Sequence, residues 1–226
     1  MQPNLKMKKP DWLITRNPAF FTGYFLFIVL LSIYCFVFTK PEGFLLINHF
    51  HFALLDGLFV LFTNFGNGIF AILLMIFMLV RKKFGWSLQI AVSFLVSGIL
   101  VQILKHMISS PRPRLYFGSG VIHYIHGITG TGHGSFPSGH AATIFAVTSL
   151  LALYFPGRNA GNFFIIIACL TGFSRIYLSQ HFPIDVLAGS LLGMVVSLFT
   201  YQLIPLRIFE KKFQEKDWDR QSIKLR

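Results

Sequence analysis

The sequence predicts an all-α polytopic membrane protein with six transmembrane helices, and three observations predict it. Of the 226 residues, 54% are hydrophobic and only 12% are charged, which is typical of a chain embedded in lipid. The mean hydropathy is +0.63. Six apolar runs also approach the roughly 20 residues that a helix needs to cross a hydrocarbon core of about 30 Å. These features exclude a disordered chain, a collagen-like fibre, a disulfide scaffold and an ordinary cytosolic enzyme.

The six runs are bounded by charged or turn-forming residues, and the fourth and fifth are short. The first run lacks a small-residue cleavage site and is too long for a signal peptide, so it predicts a retained helix. The second run is interrupted by Asn64, Gly66, Asn67 and Gly68. Because amide side chains are not tolerated in contact with lipid, the helix face that carries these residues is expected to point towards the other helices. The predicted spans cover residues 19–38, 57–80, 86–104, 139–155, 161–178 and 184–203.

The basic residues are divided unequally between the two sides of the predicted membrane domain. The N-terminus, residues 81–83, residue 158 and the C-terminal tail hold 15 of the 20 Lys and Arg residues. Because cytoplasmic segments carry this excess, both termini are predicted to be cytoplasmic. The predicted organisation is a basic N-terminus (1–18), a six-span membrane domain (19–204) and a basic tail (205–226). We expect an integral protein of a bacterial inner membrane.

The net charge of +12 does not require a nucleic-acid partner. Membrane topology explains most of it, and the tail, which also carries acidic residues, is expected to touch anionic lipid. Membrane lipids are therefore the predicted partners. Cys35 and Cys169 lie in separate apolar stretches, so we interpret them as buried small hydrophobic residues and not as a disulfide or metal pair.

The longest connection, residues 105–138, joins the third and fourth spans on the non-cytoplasmic side. Loops of this length are uncommon unless they are functional or disordered. Lys105 ends an apolar helix and Arg112 follows seven residues later, so two cations can converge there. The alternative is that each side chain reaches separately to the lipid headgroups.

The loop ends at a predicted helix N-terminus. Ser138 is a suitable N-cap, and the free amides behind it form an anion site that Gly139 leaves open to a phosphate oxygen. His140 lies in the first turn. The alternative is a plain N-cap with an incidental histidine.

The third polar cluster lies between the fifth and sixth spans on the same face. Arg175 ends the fifth span, and His181 precedes Asp185 by four residues at the start of the sixth. A carboxylate on one ring nitrogen orients an imidazole and raises the nucleophilicity of the other nitrogen. Alone, this is equally a structural Asp–His pair. Together, however, the three clusters bring cations, helix amides and two histidines to one membrane face, as phosphoryl transfer requires.

These motifs resemble the type-2 phosphatidic acid phosphatases, also called lipid phosphate phosphatases. The family signatures are Lys, six residues, Arg-Pro; then Pro-Ser-Gly-His; then Ser-Arg, five residues, His, three residues, Asp. No signature position is missing. By span order the resemblance covers residues 64–203. The matching residues are Lys105 with Arg112-Pro113, Pro137-Ser138-Gly139-His140, and Ser174-Arg175 with His181 and Asp185.

The resemblance implies a role for each of these residues. Lys105, Arg112 and Arg175 would clamp the phosphate, and Ser138 with the Gly139 amide would complete the cradle. His181, held by Asp185, would attack phosphorus. His140 would protonate the leaving group, and water would then hydrolyse the phosphohistidine. The family needs no metal or other cofactor.

A metal site in the loop is the main alternative for the remaining histidines. His123, His126 and His133 could bind zinc or copper, but their spacing matches no familiar ligand pattern and includes neither cysteine nor acid. We interpret them as loop or headgroup-contacting residues, and no metal is predicted.

The resemblance implies a phosphatase acting on a phosphorylated lipid that enters sideways from the bilayer. Candidate substrates are a polyprenyl diphosphate, a phosphatidate-type lipid and a lipid A phosphate. Two alternatives stay open. One is a phosphotransferase that passes the phosphate from the same phosphohistidine to a second acceptor, and the other is a non-enzymatic protein that binds anions or lipids. Halogen oxidation, known from vanadium-dependent relatives, is not favoured, because those relatives are usually soluble.

Overall fold

The structure is all-helical over the residues that the computed structural model describes, which are 13–118, 120–125, 127–128, 130–204 and 206. In that part of the chain the only β-type pairing is an isolated bridge between Pro111 and His133, so the predicted all-α class is confirmed. A 3₁₀ turn at Asn64–Gly66 separates α4 from α5. The helices are α1 (Leu13–Arg16), α2 (Pro18–Val37), α3 (Lys40–Asn48), α4 (Ala53–Thr63), α5 (Gly68–Val80), α6 (Phe84–Ile108), α7 (Pro113–Phe117), α8 (Gly139–Tyr154), α9 (Arg158–Tyr177) and α10 (Pro183–Leu203).

Four helices are long and apolar enough to cross a membrane, namely α2, α6, α9 and α10. They match the first, third, fifth and sixth predicted spans to within a few residues. A fifth candidate is the pair of α3 with α4 and its 3₁₀ turn, which is bent by 118°. The chain is therefore a membrane-spanning protein with four or five candidate spans among the described residues. The count of six stays a prediction, and most of the basic N-terminus and tail lies outside the described residues.

The second predicted span is broken in the structure. Helix α4 stops at Thr63, and α5 starts at Gly68, with the side chain of Asn67 accepting a hydrogen bond from the amide of Ile69. Within the break, Gly66 faces the protein. A Cβ added to Gly66 would lie 2.8 Å from the Cβ of His140 and 3.0 Å from the Thr171 side chain. Gly66 is buried against the protein, as predicted, whereas Asn64 is exposed, so the inward orientation of the amides stays a prediction.

The fourth predicted span, α8, is the central helix. Its 16 residues reach only about 24 Å. Every residue from Ala141 to Tyr154 is buried, because α6, α9 and α10 pack around it. A helix enclosed on all sides by protein does not have to match the full thickness of the lipid, which accounts for its short length.

Helices α8 and α10 approach each other through glycine. A Cβ added to Gly189 would lie 2.3 Å from the carbonyl oxygen of Ser138, and one added to Gly193 would lie 2.1 Å from that of Ala142. The amide of Ser138 also donates to the carbonyl of Asp185 at 2.9 Å. This contact fixes the start of α8 against the start of α10, as close packing through small residues allows.

The glycine-rich loop is fastened at both ends. The amide of Arg112 donates to Gly132 and that of Ser135 to Ser110, both at 2.9 Å, so the two ends of the loop pair with each other. Glycines at positions 118, 127 and 134 have φ near +80°, a conformation that favours glycine. The loop therefore returns the chain to α8 beside the end of α6.

The close approach of α8 and α10 predicts a strong effect of Gly193→Ala. Because the added methyl group meets the backbone of Ala142, we expect a loss of about 1–3 kcal/mol in the free energy of unfolding and a lower Tm in detergent. The matched control is Gly98→Ala in α6, where an added Cβ meets nothing within 4 Å. Equal Tm values for the two variants would contradict the packing.

Candidate active site

A single cavity of about 860 Å³ lies where the helix ends meet. Its wall contains six of the eight predicted site residues, contributed by α6, α8, α9, the residue before α7 and the turn before α10. Ser138 and Asp185 do not line it and lie directly behind the wall. The predicted residues on the wall are Lys105, Arg112, Gly139, His140, Arg175 and His181.

The N-terminus of α8 forms one side of the cavity. The Ser138 side chain is fully buried and accepts a hydrogen bond from the amide of Ala141 at 3.4 Å, so it caps the helix. Helical geometry leaves the first amides, including that of Gly139, without intrahelical acceptors. A Cβ added to Gly139 would contact only Val101, at 3.6 Å, so the helix end is open to a ligand. A direct contact between Ser138 and phosphate stays a prediction.

Three cations surround the cavity. Lys105 is in the last turn of α6, Arg112 caps α7, and Arg175 is in the last turn of α9. Burial lowers the pKa of Arg112, but a guanidinium in a protein keeps its proton. Arg175 is 5% exposed, and its Nε has no hydrogen-bond partner within the described part of the chain. The described residues of the wall include no carboxylate, so the cavity suits an anion.

His181 lies at the cavity wall and forms a buried pair with Asp185, which lies behind the wall. The His181 Nδ1 lies 3.6 Å from the Asp185 Oδ2, with His181 only 1% exposed. The same Oδ2 accepts from the Ser135 hydroxyl at 2.5 Å and from the Phe182 amide at 3.0 Å. Because Nδ1 faces the carboxylate, Nε2 is the ring nitrogen available on the other side.

The protonation state of His181 follows from its burial. Burial lowers the pKa of its imidazole to about 4, against a smaller opposing effect of Asp185. The ring is thus neutral at neutral pH and keeps an unshared electron pair. A neutral imidazole beside three cations has the properties of a nucleophile for an anionic substrate.

His140 and Arg175 are supported by the broken second span. Gly66 leaves room for the first turn of α8, where an added Cβ would lie 2.9 Å from the carbonyl oxygen of His140. The Thr63 hydroxyl accepts a hydrogen bond from Nη1 of Arg175. The break therefore holds one face of the cavity in place.

Sequence reasoning missed three polar side chains of the site. Ser135 donates to Asp185, Thr63 accepts from Arg175, and Gln180 accepts from Arg112. Only the region of Thr63 had a sequence signal, namely the amides that interrupt an apolar run. Ser135 and Gln180 are single polar residues whose partners lie 50 and 68 residues away.

The loop histidines do not assemble a metal site within the described part of the chain. The His123 Nε2 lies 3.2 Å from Asp56, and the His133 Nδ1 lies 3.0 Å from the carbonyl of Ser109. His126 is outside the described residues. Among those described, there is no group of three or more potential His, Cys, Asp or Glu ligands.

Comparison with known proteins assigns the family. The family model of the PAP2 superfamily matches residues 86–209. The chain belongs to the PAP2 superfamily. The matched region includes all eight predicted site residues, so the resemblance indicated by the three signatures is confirmed.

Individual relatives of this PAP2 chain agree with that assignment. Lipid phosphate phosphatase 1 of Arabidopsis thaliana is 30% identical over 150 residues, covering 55% of this chain but only 45% of the plant protein. An undecaprenyl-diphosphatase of Sulfolobus acidocaldarius is 32% identical over 166 residues, covering 72% of this chain and 77% of that protein. The crystal structure of Aquifex aeolicus LpxE has a TM-score of 0.64 and 27% identity, covering 72% of this chain and 94% of that one. The prediction of a membrane lipid phosphatase agrees with the family and with these relatives.

The burial of neutral His181 predicts a pH-dependent stability. Its folded pKa of about 4 lies below the ordinary value of about 6.5, so the unfolded chain binds a proton more readily. The contribution of His181 is complete above about pH 6.5 and is lost as the pH falls towards about 4. We expect the Tm of the wild type to fall more steeply between about pH 7 and 5 than that of His181→Gln. Parallel profiles would contradict a buried neutral imidazole.

Proposed function

We propose that this PAP2 chain hydrolyses a phosphomonoester or diphosphate of a membrane lipid through a phosphohistidine intermediate. The observation that carries the proposal is one cavity in which three cations, an open helix N-terminus and the two predicted catalytic histidines, His140 and His181, meet. These residues come from three distant stretches of sequence. A shared cavity is what phosphoryl transfer needs, because its catalysis depends mainly on positioning and electrostatic stabilisation.

The cations and the N-terminus of α8 bind the phosphate. Lys105, Arg112 and Arg175 neutralise the non-bridging oxygens, and the first amides of α8 donate hydrogen bonds to them. The unpartnered Nε of Arg175 is a donor available to such an oxygen. Ser138 contributes by fixing the helix end.

His181 acts as the nucleophile. Its Nε2 forms a bond to phosphorus while the bond from phosphorus to the leaving oxygen breaks, and that oxygen keeps the electron pair and receives a proton from His140. The neighbouring cations disfavour a protonated His140, and the negative charge of the bound phosphate stabilises it. Asp185 stabilises the positive charge that develops on the imidazole.

Water completes the reaction. Its oxygen attacks phosphorus, the bond between phosphorus and Nε2 breaks, and the electron pair returns to the imidazole. His140 accepts the proton from the attacking water, so both histidines recover their starting forms. This chemistry uses no metal, in keeping with a cavity wall whose described residues offer cations and no carboxylate.

The position of the cavity supports an active site at the non-cytoplasmic face. It lies at the C-terminal ends of α6 and α9 and the N-terminal ends of α8 and α10, which is the end opposite the basic segments at residues 81–83 and 158. The six proposed spans place both termini on the cytoplasmic side. The membrane that we propose is a bacterial inner membrane. The substrate class is a polyprenyl diphosphate, a phosphatidate-type lipid or a lipid A phosphate.

A panel of lipids tests the activity. Purified protein in EDTA is expected to release free phosphate from at least one member of a panel containing a polyprenyl diphosphate, a phosphatidate, a phosphatidylglycerophosphate and lipid A. Activity that needs added divalent metal would contradict the mechanism. A phosphorylated second lipid or sugar in place of free phosphate would identify a phosphotransferase.

Substitution of the nucleophile tests the mechanism. We expect His181→Gln to lower kcat by about 10⁴-fold or more, since the substitution removes the nitrogen that attacks phosphorus. The matched control is His106→Gln, because His106 lies on the exposed end of α6 outside the cavity. Folding of both variants is checked by thermal unfolding. Retention of activity in a folded His181→Gln protein would exclude a phosphohistidine at residue 181 and indicate another nucleophile.

A further inference from the structure

Gln180 is a cavity residue that the chemistry above does not use. It lies between Arg175 and His181, is 3% exposed and forms part of the cavity wall. The amides of Gln180 and His181 both donate to the carbonyl of Arg175 at 3.0 Å, so the backbone here is a tight turn. A buried amide side chain in such a turn must find partners for both its oxygen and its nitrogen.

The partners of Gln180 are functional parts of the site. Its Oε1 accepts a hydrogen bond from Nη1 of Arg112 at 2.8 Å. The same guanidinium nitrogen lies 3.5 Å from the Gln180 carbonyl oxygen. At its other end, Nε2 of Gln180 donates to the carbonyl of Ile128 in the glycine-rich loop. One side chain thus contacts a predicted phosphate ligand and the loop.

The loop also passes close to Arg112. A Cβ added to Gly130 would lie 3.1 Å from Nη1 of Arg112, and the Arg112 amide donates to the carbonyl of Gly132. The guanidinium is therefore held between Gln180 on one side and the loop on the other. The Gln180 side chain contacts both Arg112 and the loop, and it directly precedes the nucleophile His181 in the chain.

We propose that Gln180 is a positioning residue that holds Arg112 in the orientation that binds the phosphate and ties the loop beside it through the carbonyl of Ile128. A long arginine side chain loses conformational entropy when it is fixed, and a preformed acceptor removes that loss from the binding step. The acceptor has to be neutral. A carboxylate at this position would pair with the guanidinium and compete with the phosphate for it.

The inference rests on the proposed phosphate-binding role of Arg112, and its test uses binding as well as turnover. Inorganic phosphate is titrated into purified wild type, Gln180→Met and Gln180→Glu, with detection by calorimetry. Gln180→Met keeps the size of the side chain but removes both hydrogen bonds, and we expect a Kd for phosphate about tenfold higher. Gln180→Glu is expected to raise the Kd further. The matched control, Gln202→Met on the exposed end of α10, should leave the Kd unchanged.

A double-mutant cycle separates positioning from a general loss of structure. In an Arg112→Ala background, Gln180→Met should no longer change the Kd, because the residue acts through the missing guanidinium. With a lipid substrate, Gln180→Met should raise KM more than it lowers kcat. Thermal unfolding checks that each variant is folded.

The outcomes distinguish this inference from the proposed function. An unchanged Kd in folded Gln180→Met, or an equal loss in the Arg112→Ala background, would overturn the positioning role even if lipid hydrolysis is observed. If no lipid is hydrolysed but phosphate binding needs Gln180 through Arg112, the positioning role stands and the proposed function fails.

Discussion

The site depends on the burial of one carboxylate, that of Asp185, which has to find hydrogen-bond donors within the protein because it is not exposed. A buried carboxylate is costly unless it is hydrogen-bonded and near compensating charge. Its partners are the hydroxyl of Ser135 at the end of the loop, the amide of Phe182 and, at 3.6 Å, the ring of His181. The carbonyl of the same residue accepts from the amide of Ser138. The Oδ2 and backbone carbonyl of Asp185 therefore bring the nucleophile, the loop and the start of α8 together, whereas its Oδ1 has no hydrogen-bond partner among the described residues.

Backbone contacts set the shape of the cavity around that carboxylate. Gly189 and Gly193 let α10 lie against the backbone of α8, and Gly66 lets the broken second span lie against His140. In each case a single methyl group would force two backbones apart. The break at residues 64–66 interrupts the helix and places Thr63, Asn64 and Asn67 on the cavity wall, and membrane proteins tolerate irregular backbone where it lines a cavity.

The cavity is positively charged because cations line its wall and the nearest carboxylate lies behind that wall. The wall carries the cations of Lys105, Arg112 and Arg175, whereas the nearest carboxylate is withdrawn behind His181. An anion entering the cavity meets donors that are already oriented, so little reorganisation is needed. The neutral amide of Gln180 orients Arg112 without reducing that positive charge. The same arrangement keeps His181 neutral and able to donate an electron pair.

The all-α membrane class, the positions of four spans and the residue types of the site could be predicted from the amino-acid sequence. Hydrophobic run length and motif spacing are local properties, and Lys105, His140 and His181 could be selected from them. The break in the second span, the positions of Ser138 and Asp185 behind the cavity, and its support by other polar side chains depend on the packing of the helices. Those supporting side chains are Thr63, Ser135 and Gln180. These features arise from contacts between residues far apart in the chain, where a hydroxyl or an amide takes its role from whichever partner the packing of the helices brings to it.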